Sequence, residues 1–316
     1  MPLTFADELP NILPKFMPLY HFSADAEKWV PFPFSTSKDI PAGNFHILTW
    51  NLNCNWPHRK ERLREVIRYL EEDIFPDLAK EKGAPPPCVL CFQEVHKVAL
   101  KVLLRRQWIR DHFLVTPVNP ESWPQEISGL VTVISKAIPV SRAFIIDLPM
   151  STLDRQALFV DLHLKGAVSG EGSSTSGGQR IHALRIANTH LEVGGTITDS
   201  RAREKQLKHI ARMLNVPNLN VAICVGSLGA CRDDDAYVIA EAGFADAYTG
   251  KQWASETWGV QPESRSHVPA RMDRVLYFPA ENLHVEIPKR IGLGASIRNE
   301  TSYVSDHLGV RTVVKI

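Results

Sequence analysis

The chain has 316 residues, of which 44% are hydrophobic and 22% are charged, a composition typical of a globular protein with a large buried core. It carries 36 basic and 35 acidic residues, so its net charge is +1 and no overall positive field attracts a polyanion. Binding of nucleic acid is therefore not supported by net charge and would need a local basic patch. No stretch approaches the ~20 apolar residues of a membrane-spanning helix, so we expect no membrane partner.

The N-terminal segment shows no targeting pattern. The run MPLTFADELPNILPKF contains acidic residues and prolines where a signal peptide has a basic and then an apolar run. We therefore expect an intracellular protein, cytoplasmic or nuclear. Residues 1–44 are rich in Pro, Phe and Trp without a clear period, which predicts an N-terminal arm whose aromatic side chains pack on a domain spanning 45–316.

Apolar patterns predict alternating strands and helices after residue 44. The first two strands are FHILTWNLN and CVLCFQEV, each followed by a helix, HRKERLREVIRYLEEDIF and ALKVLLRRQWIRDHF. In CVLCFQEV, Cys88 and Cys91 are three residues apart and face opposite sides of a strand, so we expect buried thiols rather than zinc ligands. The next strands are GLVTVISKA, RAFIIDL and QALFVDLHLK. Side chains alternate along QALFVDLHLK, so Phe159 and Val160 are predicted to face opposite sides.

A Gly/Ser-rich loop at 166–179 separates QALFVDLHLK from the strand IHALRIANTHLEV. A helix around residues 201–214, the strand NVAICVGSLG, the short helix DDDAYVIAEAG and the strands RMDRVLYF and HLGVRTVVKI complete the chain. Strands outnumber helices, and several are joined by hairpin-length loops. The pattern predicts an α/β fold, a layered α/β sandwich of two packed mixed β-sheets with helices outside, rather than an all-parallel sheet.

Several predicted strands carry polar residues at or near an end, where burial costs free energy unless each group is paired or binds something. These residues are Asn51, Asn53, Glu94, Asn188, His190, Asp273, Asp306 and His307. Glu94 and Asp306 offer the carboxylates, and Asn51 the amide, that a Mg²⁺ site prefers. His307 beside Asp273 would form an oriented pair suited to a phosphate oxygen or a proton transfer.

Each of these residues taken singly also has an ordinary structural explanation. Glu94 could be a solvated rim residue, and His190 a hydrogen-bonded core histidine. Asp273 lies near Arg271 and Arg274 and could form a surface ion pair of little energetic value. The joint pattern, in this order, favours a site.

The motifs TWNLN, CFQEV, VISKAIPV, NTHLE followed by REKQL, RMDRVLYF and SDHLG give the sequence a recognisable likeness. The chain resembles the endonuclease/exonuclease/phosphatase superfamily, which includes abasic-site endonucleases, pancreatic-type deoxyribonucleases, sphingomyelinases and inositol phosphatases. Within it the likeness is closest to the 5′-tyrosyl-DNA phosphodiesterase branch. The matching motifs span residues 45–316.

The resemblance implies a role for each matching position. Glu94 would be the main carboxylate for Mg²⁺ or Mn²⁺, with Asp306 completing the metal site and Asn51 beside the metal and the phosphate. His307, oriented by Asp273, would contact the scissile phosphate. Further contacts to the phosphate or the rest of the substrate would come from His190, Trp258 in SETWGV, Asn53 and Ser227.

The chain departs from the family at one motif. Where members carry Gly-Asp-x-Asn, this sequence reads Gly226-Ser227-Leu228-Gly229. Serine cannot replace an aspartate as a base, and the loss of a general base costs about 10²–10⁴ in rate. Loss of a transition-state donor such as the Asn adds about 10²–10³. Three aspartates follow at 233–235, and we expect them to open the next helix rather than to replace the missing carboxylate.

Three functions follow from this pattern. The first is a divalent-metal-dependent phosphodiesterase whose base comes from elsewhere, for example His307 with Asp273. The second is an enzyme repurposed for a non-phosphate small-molecule substrate, as in metabolite tailoring. The third is a non-catalytic binding protein that uses the same cleft.

Overall fold

In the computed structural model the chain is described over residues 13–34, 44–75, 85–164, 182–216, 219–229, 235–250, 255–264, 267–281, 283–298 and 300–316. The predicted loop at 166–179 lies outside these residues. The helices are α1 (Arg59–Tyr69), α2 (Lys97–Arg105), α3 (Gln107–His112), α4 (Ile197–Leu214) and α5 (Asp235–Glu241). None of the described helices is both long and apolar enough to span a bilayer.

The described strands carry the numbers β1 to β16 in chain order. The first eight are β1 (Lys15–Phe16), β2 (Tyr20–Ser23), β3 (Lys28–Pro31), β4 (Asn44–Asn51), β5 (Cys88–His96), β6 (Phe113–Thr116), β7 (Ser128–Ser135) and β8 (Val140–Asp147). The others are β9 (Gln156–Leu164), β10 (His182–His190), β11 (Leu219–Ser227), β12 (Ala245–Asp246), β13 (Asp273–Tyr277), β14 (His284–Val285), β15 (Lys289–Ile291) and β16 (Gly309–Lys315).

Within the described part of the chain, these strands form two mixed sheets. The seven-stranded sheet has the order β1-β8-β9-β10-β11-β13-β12. The nine-stranded sheet has the order β14-β16-β4-β5-β7-β6-β2-β3, with β15 beside β16. Each sheet has one parallel pair near its centre, β10 with β11 and β4 with β5, and the other pairings are antiparallel. The predicted sandwich of two mixed sheets is confirmed.

The core follows from the alternation of side chains along the strands. Ile47 and Val89 of the nine-stranded sheet pack against Val160 and Ile186 of the seven-stranded sheet in one buried cluster. On the outer face of the nine-stranded sheet α1 and α2 cover a second cluster, and on the outer face of the seven-stranded sheet α4 and α5 cover a third. Helices therefore lie outside the two sheets, as predicted.

The predicted facing of individual residues is also confirmed. In β9, Phe159 belongs to the cluster under α4, whereas its neighbour Val160 lies between the sheets. Cys88 faces the α1 side and Cys91 the space between the sheets, and both are free, buried thiols.

The prediction of one continuous helix over ALKVLLRRQWIRDHF was wrong. Arg106 has extended backbone angles, φ −69° and ψ 124°, and separates α2 from α3. The break turns Trp108 and Ile109 into the core, while the guanidinium of Arg106 donates to Glu71 at 2.6 Å. α4 begins four residues earlier than predicted because Thr196 and Asp199 form a capping box.

The N-terminal segment adds strands to both sheets. β1 pairs with β8, and the β2–β3 hairpin extends the nine-stranded sheet through β6. The indole of Trp29 donates to the Leu104 carbonyl at 3.1 Å, so this aromatic packs on the domain. The arm boundary at residue 44 stays a prediction.

A buried hydrogen-bonded cluster of amides joins the two sheets. Gln93 Nε2 of β5 donates to Thr49 Oγ1 and to Asn188 Oδ1 of β10, both at 2.8 Å. Asn188 Nδ2 in turn donates to the Val131 carbonyl of β7 at 3.1 Å. Gln93 and Asn188 are fully buried, so every unpaired amide group here would cost free energy.

We expect Gln93→Leu to lower the free energy of unfolding by about 1–3 kcal/mol, because the buried Asn188 Oδ1 and Thr49 Oγ1 lose their donor. The control Gln107→Leu, at an exposed position, should change it by less than about 0.5 kcal/mol. Urea denaturation of the three proteins measures the difference. Equal losses in the two variants would show that the cluster does not hold the sheets together.

Candidate active site

The predicted site residues lie along one edge of the two sheets. Asn51 ends β4, and Glu94 lies near the end of the parallel strand β5. His190 ends β10, and Ser227 ends the parallel strand β11. The carboxyl ends of parallel strands commonly form ligand sites in α/β folds. Register places His190 beside Ser227, and Ser227 beside Asp273 at the start of β13.

The backbone at Glu94 is distorted. The β5–β7 register shifts between Phe92 and Val95, and Glu94 itself has φ +53°. Left-handed backbone at a non-glycine residue costs of order 1–3 kcal/mol and is commonly found at functional sites. The bulge directs the Glu94 carboxylate toward Asn51 Nδ2, at 3.1 Å, and the Cys54 backbone amide, at 3.0 Å.

Glu94 is held in its ionised form. Burial raises the pKa of this carboxyl group, but the imidazole of His190 and the hydrogen bonds from Asn51 and Cys54 lower it. The net direction is downward, because two donors point directly at the carboxylate oxygens. A negative charge therefore stands at this edge at neutral pH.

His307 forms the predicted pair with Asp273. The ring atom Nδ1 lies 2.7 Å from Asp273 Oδ2, which also accepts a hydrogen bond from Thr257 Oγ1 at 2.6 Å. Burial lowers the pKa of His307, but the carboxylate of Asp273 outweighs burial and raises the pKa to about 9. His307 is thus protonated at neutral pH and suited to donating a proton rather than accepting one. Arg271 and Arg274 pair with Asp246, so the surface ion pair considered for Asp273 is absent.

His190 is buried and carries a different charge from His307. Arg155 Nη1 lies 2.8 Å from His190 Nδ1, so Nδ1 accepts and the ring proton lies on Nε2, 3.7 Å from Glu94 Oε1. Burial and the positive charge of Arg155 lower the pKa of His190 to about 3, despite the opposing effect of Glu94. Positive charge beside these two imidazoles is therefore carried by Arg155 and His307, and His190 is neutral.

Arg155 was not among the predicted site residues. It directly precedes β9, and β9 runs antiparallel to β10 with Ala157 opposite Thr189. The start of β9 consequently lies beside the end of β10, where His190 stands. The sequence shows only a basic residue just before a predicted strand. Its place at the site follows from the antiparallel pairing of β9 with β10, which brings the start of one strand to the polar end of the other.

The loop before Arg155 is anchored by Glu192. Its buried carboxylate accepts hydrogen bonds from Ser151 Oγ at 3.2 Å, Thr152 N at 3.0 Å and Thr152 Oγ1 at 2.7 Å. Ser151 Oγ in turn accepts from the Arg155 backbone amide at 2.7 Å. These bonds fix the guanidinium of Arg155 relative to β10.

Asp306 and Trp258 lie together at the His307 side of the edge. Trp258 Nε1 donates to Asp306 Oδ2 at 3.2 Å, and the backbones of Trp258 and His307 form a bridge. Asp306 Oδ1 is buried without a partner among the described residues. Asn53, by contrast, has a structural role. Its Oδ1 accepts hydrogen bonds from the backbone amides of Asn55 and Trp56 and so stabilises the loop after β4.

The altered motif places a neutral hydroxyl group, that of Ser227, between His190 and Asp273. Ser227 is buried, and its Oγ has no hydrogen-bond partner within the described residues. Gly229 has φ +60°, and a Cβ there would collide with the carbonyl oxygen of Glu192. Asp235, the first residue of α5, pairs with Arg203 at 2.8 Å and does not replace the missing carboxylate. Asp233 and Asp234 lie outside the described residues.

The oxygen donors at this edge fit a hard divalent cation. Among the described residues, no three His, Cys, Asp or Glu side chains cluster closely enough to hold a metal alone. Mg²⁺ commonly takes only one or two carboxylates and fills its shell with water and substrate phosphate. The ionised Glu94 and the unpaired Asp306 Oδ1 are oxygen donors of this kind, and both carboxylates act electrostatically on His307. Asn51 Oδ1 accepts from the Asn53 backbone amide at 3.0 Å.

Comparison with models of protein families identifies the family of this chain. The model of the endonuclease/exonuclease/phosphatase family matches residues 48–307. The chain belongs to this family. Its match covers each of the strand ends described above. No curated protein sequence matches the chain.

Solved structures support the fold. The chain is 16% identical to D. rerio tyrosyl-DNA phosphodiesterase 2 complexed with a single-strand DNA product, with a TM-score of 0.62 over 86% of this chain and 99% of that one. For tyrosyl-DNA phosphodiesterase 2 from C. elegans the values are 17%, 0.63, 89% and 78%. For the human nocturnin catalytic domain with a bound sulfate anion they are 16%, 0.52, 86% and 94%. At these identities the likeness concerns the fold alone.

We expect Gly229→Asn to lower the free energy of unfolding by about 1–3 kcal/mol, because the new side chain meets the Glu192 backbone. Gly294→Asn is the matched control, since Gly294 has a similar φ of +78° with open space around it. Thermal or urea denaturation compares the two. A Gly229→Asn protein as stable as the control would show that the backbone does accept the asparagine of the family motif.

Proposed function

We propose that this chain is a divalent-metal-dependent phosphodiesterase whose site is altered at Ser227 and Gly229. One observation carries the proposal. The ionised Glu94 lies on the same sheet edge as two cations, His307 paired with Asp273 and Arg155 paired with His190. An anionic group for a metal beside cations for a phosphate is the arrangement that hydrolysis of a phosphoester requires.

Glu94 and Asp306 would hold Mg²⁺ or Mn²⁺, with Asn51 beside the metal and the phosphate. A divalent cation there would stabilise the negative charge that develops on the phosphate. Asn51 Nδ2 and the Cys54 amide hold the Glu94 carboxylate in place. The inter-sheet bonds of Gln93 fix β5, and with it the position of Glu94.

The two cations would bind the phosphate from the other side. In the reaction a water oxygen bonds to phosphorus, the bond from phosphorus to the leaving oxygen breaks, and the leaving oxygen takes a proton. His307 is protonated and oriented by Asp273, so it supplies that proton or a hydrogen bond to the phosphate. Arg155 offers a permanent positive charge in the cleft wall.

The proton of the attacking water would pass to solvent, because no base stands at the position of the family's aspartate. Ser227 is neutral, and His190 Nδ1 already accepts from Arg155. The suggestion that His307 with Asp273 acts as the base fits poorly, since Asp273 raises the pKa of His307 to about 9. We therefore expect turnover about 10²–10⁴ below that of a site with the carboxylate.

A repurposed enzyme with a non-phosphate small-molecule substrate is the second candidate. The neutral Ser227 and the backbone that excludes a side chain at Gly229 favour it, because both motif residues used on phosphate are missing. The solved structures of similar fold favour the phosphodiesterase instead. One of them holds a DNA product and another a sulfate, an anion shaped like phosphate.

The test is hydrolysis of bis(p-nitrophenyl) phosphate at increasing Mg²⁺ or Mn²⁺. We expect slow, metal-dependent release of nitrophenol that falls by about 10²-fold or more in Glu94→Gln. Glu281→Gln, an exposed site, is the control and should retain native activity. Equal activity in Glu94→Gln and the native chain would refute this site. Absence of hydrolysis with every metal would leave the non-phosphate enzyme or the binding protein.

A further inference from the structure

A cavity of about 300 Å³ opens directly beside the site. Glu94, His190 and Arg155 line one part of it. Pro124, Ile127, Leu130 and Leu153 line another. The volume lies at the small end of the range for ligand pockets and suits a small organic group.

The apolar part of this cavity is exposed to an unusual degree. Ile127 is 45% exposed and Leu153 53%, and Met150, in an adjoining groove, is 47% exposed. Single apolar residues on a surface need no explanation, but apolar side chains grouped at the mouth of a polar cleft indicate a site that is covered when ligand binds. We call Ile127 and Leu153 the apolar shelf.

Ile127 of the apolar shelf is held by hydrogen bonds to the strand that carries Glu94. The Ile127 carbonyl accepts from the Lys97 amide at 2.8 Å, just after β5. Trp123 packs so closely on Gly129 that no Cβ would fit there, and its Nε1 donates to the Leu130 carbonyl at 3.1 Å. Ile127 therefore has a fixed position relative to Glu94.

The charges of the cavity disfavour a polyanion. Among the described residues that line it, Arg155 is the one with a permanent positive charge, against the carboxylates of Glu94 and Asp154. In the adjoining groove Lys15 is paired with Asp147 at 2.6 Å. Proteins that bind nucleic acid neutralise several phosphates with Lys and Arg, and this cleft offers the means to hold one.

We infer that the cleft takes a phosphoester with a single phosphate and an apolar organic group, which lies on the apolar shelf formed by Ile127 and Leu153. This inference rests on the proposed function, because the phosphate is placed at the same site. The phosphate meets Arg155, which lines the cavity beside Glu94 and His190, and the apolar group covers the shelf and is removed from water. Polynucleotides would be poor ligands.

The experiment has a binding arm and a turnover arm, both on the full chain. Isothermal titration calorimetry compares methyl, butyl and hexyl phosphate, which share one charged group. We expect hexyl phosphate to bind at least about tenfold more tightly than methyl phosphate, given the free energy gained for each buried methylene. The turnover arm compares kcat/KM for methyl, butyl and hexyl p-nitrophenyl phosphate, which share one leaving group.

Two variants locate the effect. Ile127→Asn and Leu153→Asn should each reduce the hexyl-to-methyl affinity ratio to below about threefold, since the shelf becomes polar. Ile287→Asn is the matched control, because Ile287 is 53% exposed and does not line the cavity. It should keep the native ratio.

The outcomes separate the inference from the function beneath it. Equal binding of the three alkyl phosphates, or a ratio unchanged in Ile127→Asn and Leu153→Asn, would overturn the inference. So would tighter binding of a 5′-phosphorylated oligothymidylate than of hexyl phosphate at 0.15 M salt. Chain-length-dependent binding without hydrolysis of any ester would support the cleft assignment and refute the phosphodiesterase.

Discussion

The buried hydrogen bond between Gln93 and Asn188 fixes the position of one sheet relative to the other, and the site depends on that relative position. Asn51 and Glu94 belong to the nine-stranded sheet, and His307 lies two residues before its strand β16. His190 and Asp273 belong to the seven-stranded sheet. The Asp273–His307 hydrogen bond and the 3.7 Å approach of His190 Nε2 to Glu94 Oε1 each join the two sheets, so they form only if the strand ends of both sheets meet at one edge. Within this cluster Gln93 Oε1 has no partner among the described residues. The Gln93 Nε2 and Asn188 amide groups are paired, and a displacement of the sheets would leave them unpaired as well, so the cluster favours one arrangement.

Charge is distributed unevenly along this edge. The carboxylate of Glu94 is ionised, His307 is protonated because Asp273 is its partner, and His190 is neutral because burial and Arg155 act in the same direction. The two imidazoles are thus tuned oppositely by their neighbours, which is the usual way in which a site assigns different roles to like groups. This edge differs from the family motif in carrying the neutral Ser227, rather than an aspartate, between His190 and Asp273.

Much of the fold and part of the site could be read from the sequence. Alternation of apolar residues along β9 placed Phe159 and Val160 on their correct faces, because a strand has a strict period of two. The polar strand ends predicted which residues meet. The helix break at Arg106 was missed because helical periodicity continues across it and tertiary packing decides the turn. Arg155 was missed because its position depends on the pairing of β9 with β10, and the constraint at Gly229 because it arises from the backbone of Glu192.

The central claim is that the site is built for phosphodiesters and lacks mainly the carboxylate at Ser227. The most direct measurement is kcat for bis(p-nitrophenyl) phosphate at saturating Mg²⁺ in the native chain, Ser227→Asp and Ser227→Asn, with thermal denaturation confirming that each is folded. The account predicts that Ser227→Asp raises kcat by at least about tenfold, as expected for a restored general base, while the uncharged Ser227→Asn does not. A folded Ser227→Asp protein with unchanged or lower kcat would contradict the account.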